Sequence, residues 1–293
     1  TGGALYLWKD SYENKSTVES TTFTGNSAYT GGGAITIGYG ATLDISTTVF
    51  TKNRVVGHVY SSGGALYVEG GSIVNLEDVI FGKENEGNTA DYTGGAIASN
   101  VGTVIMTGGS IEANEAPVGS AISSGGASTL KLINVSVVNN TSTGAGGTVF
   151  TNEITSSELT NVLLAGNRCE NGTGGGLRSV KTPTVLTNVT IVDNYAKNGG
   201  GGIYNNNSPL IKVRNSVIWG NTKDGDAISN TGIDITGGTF EYSYSLIGGA
   251  SPAGEGNIPS TDPLFNATNS TAPYSLLPTS PLLNAGSNAY FSN

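Results

Sequence analysis

Apolar and polar residues recur along most of this chain in short runs that end at asparagine or glycine. In the stretch TVLTNVTIVDN, from Thr184 to Asn194, apolar residues lie on both sides of a polar bend at Asn188. Short runs rich in β-branched residues are typical of β-strands, and asparagine is common at the bends between them. No stretch shows helical periodicity over more than a turn, so the pattern predicts short strands joined by tight bends.

The same stretch recurs at a fixed interval. Two series of asparagines step together by 27 residues, the first being Asn134, Asn161, Asn188 and Asn215, and the second, six positions later, Asn140, Asn167, Asn194 and Asn221. A constant period of this length is the signature of a solenoid or a related repeat architecture. We therefore expect each series to form one column of stacked side chains.

A glycine-rich phrase, first seen as GGALYL at Gly2, alternates with the closing asparagines. Its third position is occupied by Ala4, Ala34, Ala65, Ala96, Ala121, Thr148, Gly176, Gly202 and Ala227, and the closing asparagines continue upstream as Asn114, Asn85, Asn53 and Asn26. Each unit therefore holds a glycine phrase, a middle strand and a strand that ends at asparagine. This order predicts an all-β fold, a single-stranded right-handed parallel β-helix of about nine rungs of ~27 residues.

The repeat fades before the end of the chain. Residues 237–249 hold one more pair of predicted strands, whereas residues 250–293 contain six of the nine prolines. Proline cannot donate a hydrogen bond to a β-ladder. We expect residues 1–249 to form the β-helix and residues 250–293 to fold over its open end, because an uncapped end exposes a sheet edge and an apolar core.

Composition narrows the class of function. The 293 residues carry a net charge of −9 with 13 scattered basic residues, which argues against a nucleic-acid partner. The single cysteine excludes an intramolecular disulfide. No apolar run approaches the ~18 residues that span a bilayer. The sequence opens inside a repeat, at TGGALYL, and we expect a signal peptide and an upstream cap to precede it.

The glycine phrases, together with FTGN at Phe23 and FTKN at Phe50, resemble the GGA[ILV] and FxxN repeats of chlamydial polymorphic outer-membrane proteins. The C-terminal segment, with DPLF at Asp262 and SPLLNAG at Ser280, is similar to the closing segment of secreted β-helix repeat proteins of Bacteroidetes. These resemblances imply a secreted or cell-surface location. The proteins concerned include adhesins and polysaccharide-active enzymes.

An enzyme on this fold needs ionisable residues from neighbouring rungs on one outer face. The outward position of the glycine-phrase strand holds Tyr6, Thr36, Tyr67, Ala98, Ser123, Phe150, Arg178, Tyr204 and Ser229, without the two carboxylates that glycoside hydrolysis requires. Arg178 beside Tyr204, with Lys181 nearby, is the best constellation, suited to binding an acidic sugar and assisting β-elimination. The alternative is that these are ordinary exposed side chains.

Aromatic residues at the outward position suggest a different role. Tyr6, Tyr67 and Tyr204 offer flat apolar faces of the kind on which sugar rings stack. The alternative is that tyrosine is present there because it favours strands. These three residues and Arg178 are our candidates for ligand binding.

The sequence gives weaker support for a functional role of its other reactive residues. His58 lies in an irregular segment without an identifiable partner for acid–base catalysis. Glu84, Glu86 and Asp91 share a long loop whose oxygens suit Ca²⁺, but their spacing is not that of a dedicated calcium loop, and we predict no cofactor and no metal site. Cys169 follows an arginine, which would lower the pKa of its thiol, but we interpret it as a residue of the repeat.

The sequence thus predicts a non-catalytic cell-surface or secreted protein, an adhesin that binds a host ligand or a glycan through one sheet face and its loops. The alternative is a polysaccharide lyase or glycoside hydrolase that acts on an acidic polysaccharide near Arg178 and Tyr204. A third hypothesis is a spacer within a larger surface protein.

Overall fold

The protein is a right-handed parallel β-solenoid of about eight turns. The computed structural model describes residues 2–8, 15–57, 60–224 and 238–290, together with the backbone of residues 233–236. Three parallel sheets, which we call sheets A, B and C, run along the solenoid, and each coil contributes strands to them in that order. The predicted fold class is therefore confirmed, with about eight turns in place of nine rungs.

The strands follow the three parts of each repeat. Sheet A is built from the glycine phrases and contains β1 (Leu5–Trp8), β5 (Ile35–Gly38), β9 (Leu66–Glu69), β12 (Ile97–Asn100), β15 (Ile122–Gly125), β19 (Val149–Asn152), β23 (Leu177–Val180), β27 (Ile203–Asn206) and β31 (Ile233–Thr236). Sheet C is built from the two residues after each closing asparagine and contains β4 (Ser27–Ala28), β8 (Arg54–Val55), β11 (Thr89–Ala90), β14 (Glu115–Ala116), β18 (Thr141–Ser142), β22 (Arg168–Cys169), β26 (Tyr195–Ala196) and β30 (Thr222–Lys223).

Sheet B is the largest, because most coils cross it with two strands. It contains β2 (Lys15–Glu19), β3 (Thr22–Thr24), β6 (Thr42–Ser46), β7 (Val49–Thr51), β10 (Ile73–Phe81), β13 (Thr103–Glu112), β16 (Thr129–Ile133), β17 (Ser136–Val138), β20 (Ser156–Thr160), β21 (Leu163–Ala165), β24 (Thr184–Thr187), β25 (Thr190–Val192), β28 (Ile211–Arg214), β29 (Val217–Trp219), β32 (Phe240–Ser243) and β33 (Leu246–Ile247). A short 3₁₀-helix, Asn288–Tyr290, lies near the C-terminus.

Equivalent side chains stack in columns inside the solenoid. The rings of Phe23, Phe50 and Phe81 stack with centroid distances of 5.0 and 4.8 Å. The column continues in the later coils as Ile111, Val137, Leu164, Ile191, Ile218 and Ile247. Adjacent parallel strands lie ~4.8 Å apart, so each apolar side chain packs on its equivalent in the next coil.

The closing asparagines form a buried column at the bend between sheets B and C. Asn167 shows the bonding: its Nδ2 donates to Asn194 Oδ1 at 2.9 Å and to the Val137 carbonyl at 2.9 Å. Its Oδ1 accepts from the backbone N and the Nδ2 of Asn140, both at 3.0 Å. The same pattern joins Asn26, Asn53, Asn88, Asn114, Asn140, Asn167, Asn194 and Asn221. The amides are satisfied by one another.

One member of this column differs from the sequence prediction. Asn85 was expected to close the third coil, but Asn88 occupies the position and bonds to Asn53 and Asn114 at 2.9 Å each. Asn85 is exposed and has a left-handed backbone, with φ of 60°. The extra residues of this coil bulge outward before Asn88, because only an asparagine in register with its neighbours can join the ladder.

The earlier asparagine series forms a second, exposed column at the bend within sheet B. Asn134, Asn161 and Asn188 have φ values of 57°, 53° and 56°. Asn161 Nδ2 donates to Asn134 Oδ1 at 3.0 Å, and Asn188 donates to Asn161 in the same way. Asn215 bonds instead to the backbone of Ser287, at 2.8 and 2.9 Å. Asparagine tolerates the left-handed backbone that this corner requires.

The proline-rich segment starts on the last coil. Ile258 N donates to the Ser245 carbonyl at 3.0 Å, and Tyr244 N donates to the Glu255 carbonyl at 2.8 Å. Leu246 and Ile258 are joined by a parallel bridge. Residues 255–258 thus extend sheet B by a short stretch beyond its last coil.

The rest of this segment runs back along the outer side of sheet B. The Tyr274 hydroxyl donates to Asp193 Oδ2 at 3.1 Å, and the Arg214 guanidinium lies 4.9 Å from the centre of the Tyr290 ring. Phe265 and Leu276 form an antiparallel bridge within the segment. Its contacts are therefore with the side of the solenoid as well as with its last coil, and the capping role of residues 250–293 stays a prediction.

The buried column makes a strong stability prediction. We expect Asn167→Ala to lower the free energy of unfolding by about 4 kcal/mol, because it removes four hydrogen bonds worth roughly 1 kcal/mol each and leaves buried groups of Asn140 and Val137 unpaired. Urea unfolding measures this loss. Asn161→Gly removes an amide from the exposed column and keeps its left-handed corner unstrained, and it is expected to cost less than about 1 kcal/mol. Equal losses in the two variants would contradict the role of the buried ladder.

Candidate functional site

The outward positions of sheet A are less open than the sequence suggests. Thr36, Ala98 and Ser123 are only 1%, 2% and 7% exposed, although they point away from the core. The glycine turn before each strand folds back over them, and Thr36 Oγ1 accepts a hydrogen bond from Gly32 N at 2.8 Å. The backbone can approach so closely because glycine has no Cβ. The accessible side chains of this face are therefore concentrated at its two ends.

In sheet A, the strand next to the one that contains Tyr204 is not formed by the last predicted glycine phrase. The phrase at Asp226, with Ser229 in the outward position, lies outside the described residues. Sheet A continues instead with β31, in which Asp234 is the backbone partner of Tyr204. The prediction assumed a unit of 25 residues, whereas the step from Tyr204 to Asp234 is 30 residues.

At the C-terminal end of sheet A, Arg178 is held between two aromatic rings. Its guanidinium lies 5.2 Å from the Phe150 ring centre and 5.8 Å from that of Tyr204. Its Nη1 donates to the Ala145 carbonyl at 2.5 Å. The structure brings Arg178 and Tyr204 together as expected, but the contacts of the guanidinium fix the loop that contains Ala145.

Lys181 is placed at the corner after this strand and is directed to another partner. Its Nζ lies 2.6 Å from Glu153 Oε1, at the same corner of the preceding coil, and both side chains are more than half exposed. An exposed ion pair of this kind contributes little to stability. For Lys181 to act on a substrate beside Arg178, it would have to leave Glu153.

At the N-terminal end of sheet A, aromatic residues form an exposed cluster. Trp8 and Tyr39 stack with ring centroids 4.0 Å apart and an interplanar angle of 13°. Tyr6 meets Trp8 edge-on at 6.2 Å. The three residues are 39%, 56% and 55% exposed in the order Tyr6, Trp8 and Tyr39. Large aromatic side chains usually bury their area, so this cluster presents apolar ring faces to solvent.

A pocket of about 310 Å³ adjoins this cluster, and we call it the aromatic pocket. It is lined by Tyr39, Glu69, Gly70, Asn100 and Val101, which come from three successive coils. Glu69 and Asn100 are direct backbone partners in sheet A. The pocket therefore combines an aromatic ring, a carboxylate and a side-chain amide within one small space.

Tyr67 lies beside the polar groups of the aromatic pocket. Burial raises the pKa of Tyr67 to about 12, and the negative charge of Glu69 adds to the rise. Burial and Glu69 also raise the pKa of Tyr6. Glu69 is thus electrostatically close to both tyrosines.

Sequence reasoning found Tyr6 and Tyr67 but missed Trp8, Tyr39, Glu69 and Asn100. The outward position was counted once per strand, whereas a strand of four residues presents a second outward residue two places later. That position reads Trp8, Gly38, Glu69, Asn100 and Gly125 in successive coils. Tyr39 follows the strand at a corner, where strand alternation carries no information.

Three of the other candidates have partners within the protein, and the first is Cys169. Its side chain is buried, and its Sγ donates to the Gly146 carbonyl at 3.1 Å. Burial raises the pKa of this thiol to about 11, whereas the preceding arginine was expected to lower it. Glu86 pairs with Lys52 at 2.7 Å. The Asp91 carboxylate accepts from Gly57 N at 2.9 Å. His58 lies outside the described residues. The part of the chain that is described holds no group of three or more metal-binding side chains.

A larger groove, of about 800 Å³, lies between sheet B and residues 270–275. Its lining includes the exposed Asn161 and Asn188 with Leu163, Pro273 and Tyr274, and Glu112 is the acidic residue among its lining. The two amides are already bonded within the exposed column. Further polar side chains line the groove, namely Ser136, Asn139 and Thr190 on the sheet B side and Ser270, Thr271 and Ser275 on the other side.

Comparison with known families adds one match. A model of the Chlamydia polymorphic membrane protein repeat matches residues 20–37, which run from β3 into β5. No curated protein and no solved structure matches the chain. None of the described helical structure is long or apolar enough to cross a membrane. The repeat match and the solenoid together fit a β-helix repeat protein, and the Bacteroidetes resemblance stays a prediction.

The charge of Glu69 near Tyr67 makes a prediction about pH. We expect Glu69→Gln to lower the pKa of Tyr67 from about 12, while burial keeps it above 10.0. Because the folded-state pKa lies above the ordinary value of 10.0, the stability that this hydroxyl contributes is complete below pH 10.0 and is lost as the pH rises toward about 12. NMR titration of ¹³C-labelled tyrosine measures the shift. Glu112→Gln, far from Tyr67, is the control, and an equal shift in both variants would refute the contact.

Proposed function

We propose that this chain is part of a non-catalytic, surface-associated bacterial repeat protein that binds glycans through the N-terminal end of sheet A. The repeat match and the solenoid support a surface-associated protein resembling autotransporter passengers. The location that we propose, secreted or on the cell surface, is supported by that similarity. The partner we propose is a glycan on a host surface, which makes the protein an adhesin.

The observation that carries this proposal is the exposed stack of Trp8 on Tyr39. Leaving apolar surface in water costs roughly 25 cal/mol per Å², so two large exposed rings forgo stabilisation that burial would give. Stacked rings form a flat platform that matches the apolar face of a sugar. The adjoining Glu69 and Asn100 supply hydrogen-bonding groups for hydroxyls.

The solenoid suits a binding role in which the site must be presented rigidly. The coils that carry the aromatic pocket are joined to one another by three parallel sheets and by the asparagine column, so their corners are fixed relative to one another. A preorganised surface loses little conformational entropy when it binds. A rigid surface of this kind can therefore bind a ligand through a small contact area.

An alternative function is lyase or hydrolase action on an acidic polysaccharide at Arg178, Tyr204 and Lys181. The observation that favours it is the neighbouring placement of Arg178 and Tyr204, since a guanidinium can bind the carboxylate of an acidic sugar. A lyase releases unsaturated products that absorb ultraviolet light. Arg178→Ala should abolish that signal, and an acidic polysaccharide panel without any product would exclude this alternative.

The proposed glycan site is tested through Trp8. We expect Trp8→Ala to weaken glycan binding about tenfold, because it removes the stacking platform, and tenfold corresponds to about 1.4 kcal/mol. Calorimetric titration with glycans selected on a broad array measures the affinity. The chain has two tryptophans, so in Trp219→Phe protein the change in fluorescence on binding reports on Trp8 alone.

Trp219→Ala is the matched control, because Trp219 lies in sheet B, near the other end of the solenoid. It should leave the affinity for glycans unchanged. If wild-type protein binds neither the glycans of the array nor host cells, the proposed function is wrong. If both tryptophan variants bind like the wild type, the site lies elsewhere.

A further inference from the structure

We propose that the aromatic pocket recognises an uncharged saccharide through its hydroxyl groups, with Glu69 and Asn100 as the residues that determine specificity. This inference rests on the proposed function and names the ligand class of that site. Tyr39 supplies the ring face against which the sugar packs.

Glycine at position 38 makes room for this arrangement. Gly38 lies in β5, between Trp8 in the preceding coil and Glu69 in the following one. A Cβ added at Gly38 would lie 3.4 Å from Cγ and Oε1 of Glu69. The carboxylate of Glu69 therefore extends over the backbone of β5, toward the side of sheet A that carries Trp8 and Tyr39.

The corners that line the pocket hold residues that are costly at those positions. Tyr39 and Val101 have left-handed backbones, with φ of 57° and 56°, and they are 55% and 43% exposed. The same corner holds Gly70 and Gly126, with φ of 61° and 64°, and farther along the solenoid Glu153 and Lys181, with φ of 55° and 46°. A β-branched residue with positive φ is a conformational outlier. Strained residues concentrate at functional sites, and both of these residues line the pocket.

The charge of the pocket selects against acidic sugars. Glu69 is the ionisable carboxylate among the lining residues, and the chain as a whole carries a net charge of −9. A carboxylate accepts hydrogen bonds from two sugar hydroxyls but repels a uronate or a sialate placed in the same space. The Asn100 amide can both donate to and accept from a hydroxyl.

The volume limits how much of a glycan can enter. About 310 Å³ lies at the lower end of the roughly 300–1,000 Å³ found for small-ligand sites. The pocket therefore fits a short terminal part of a glycan, and the rest of the chain extends along Trp8 and Tyr6. We infer recognition of a glycan end, not of the interior of a polymer.

The test compares matched neutral and acidic glycans. Wild-type protein should bind neutral oligosaccharides more tightly than analogues that end in a uronic or sialic acid. Glu69→Gln should weaken the binding of neutral glycans by about 10- to 100-fold, because a hydrogen bond to a charged group raises the affinity by about that factor. The same change should reduce the preference for neutral over acidic glycans. Glu77→Gln, which removes one carboxylate from sheet B outside the pocket, is the control.

A second variant tests the strained corner. Val101→Gly should keep or raise the melting temperature, because glycine adopts this backbone without strain, and it should weaken neutral-glycan binding several-fold. Unchanged binding by Val101→Gly would contradict the role of this corner. Asn207→Gly, at the same corner farther along the solenoid and with φ of 56°, is the control and should leave glycan binding unchanged.

The outcomes separate this inference from the proposed function. Binding to no glycan at all overturns both. Binding that depends on Trp8 but prefers acidic glycans, or that is unaffected by Glu69→Gln, overturns the ligand class and leaves the glycan-binding function standing. Neutral binding that is lost with Glu69→Gln and kept with Glu77→Gln supports both.

Discussion

The structure depends on the hydrogen bonds of the buried asparagine column. Amides within it take partners from the neighbouring coils, as Asn167 does with Asn194 of the next coil and with Asn140 and the Val137 carbonyl of the preceding coil. A buried amide without partners costs more than the bond contributes. A coil can therefore vary in length only where the asparagine still returns to the column. The third coil demonstrates this, because its extra residues bulge out before Asn88.

The same constraint explains the composition of the corners. Each coil turns sharply between straight strands, and the corner residues adopt left-handed backbones, as Asn134, Asn161 and Lys181 do. Glycine and asparagine adopt this conformation at least cost. Most corners use them or small polar residues, so the corners are the places where an unusual residue is informative. Tyr39 and Val101 are such residues, and both line the aromatic pocket.

The solenoid could be predicted from the sequence because each coil must return a buried asparagine to the same column. The spacing of Asn140, Asn167 and Asn194 in the sequence is therefore the length of a coil. Asn85 and Asn88 could not be distinguished, since either can close a coil once residues are inserted. The burial of outward-facing residues in sheet A was also not predicted, because the spacing of residues in a sequence does not show where a glycine turn folds back over a strand. The aromatic pocket draws its residues from corners and second outward positions in three coils, so neither strand alternation nor the repeat phrase marks it.

The two ends of sheet A use aromatic residues for different purposes. At Arg178, the faces of the guanidinium meet Phe150 and Tyr204, and one nitrogen holds the Ala145 carbonyl, so these contacts close the surface over a loop. At Trp8, the rings stack on each other and remain more than half exposed, near the carboxylate of Glu69 and the amide of Asn100. Contacts that are satisfied within the protein stabilise it, whereas exposed ring faces and oriented polar groups are available to a ligand. The binding surface that we propose therefore extends over the first four coils, from Trp8 to Val101, and the interior that supports it is the same stacked core found in the other coils.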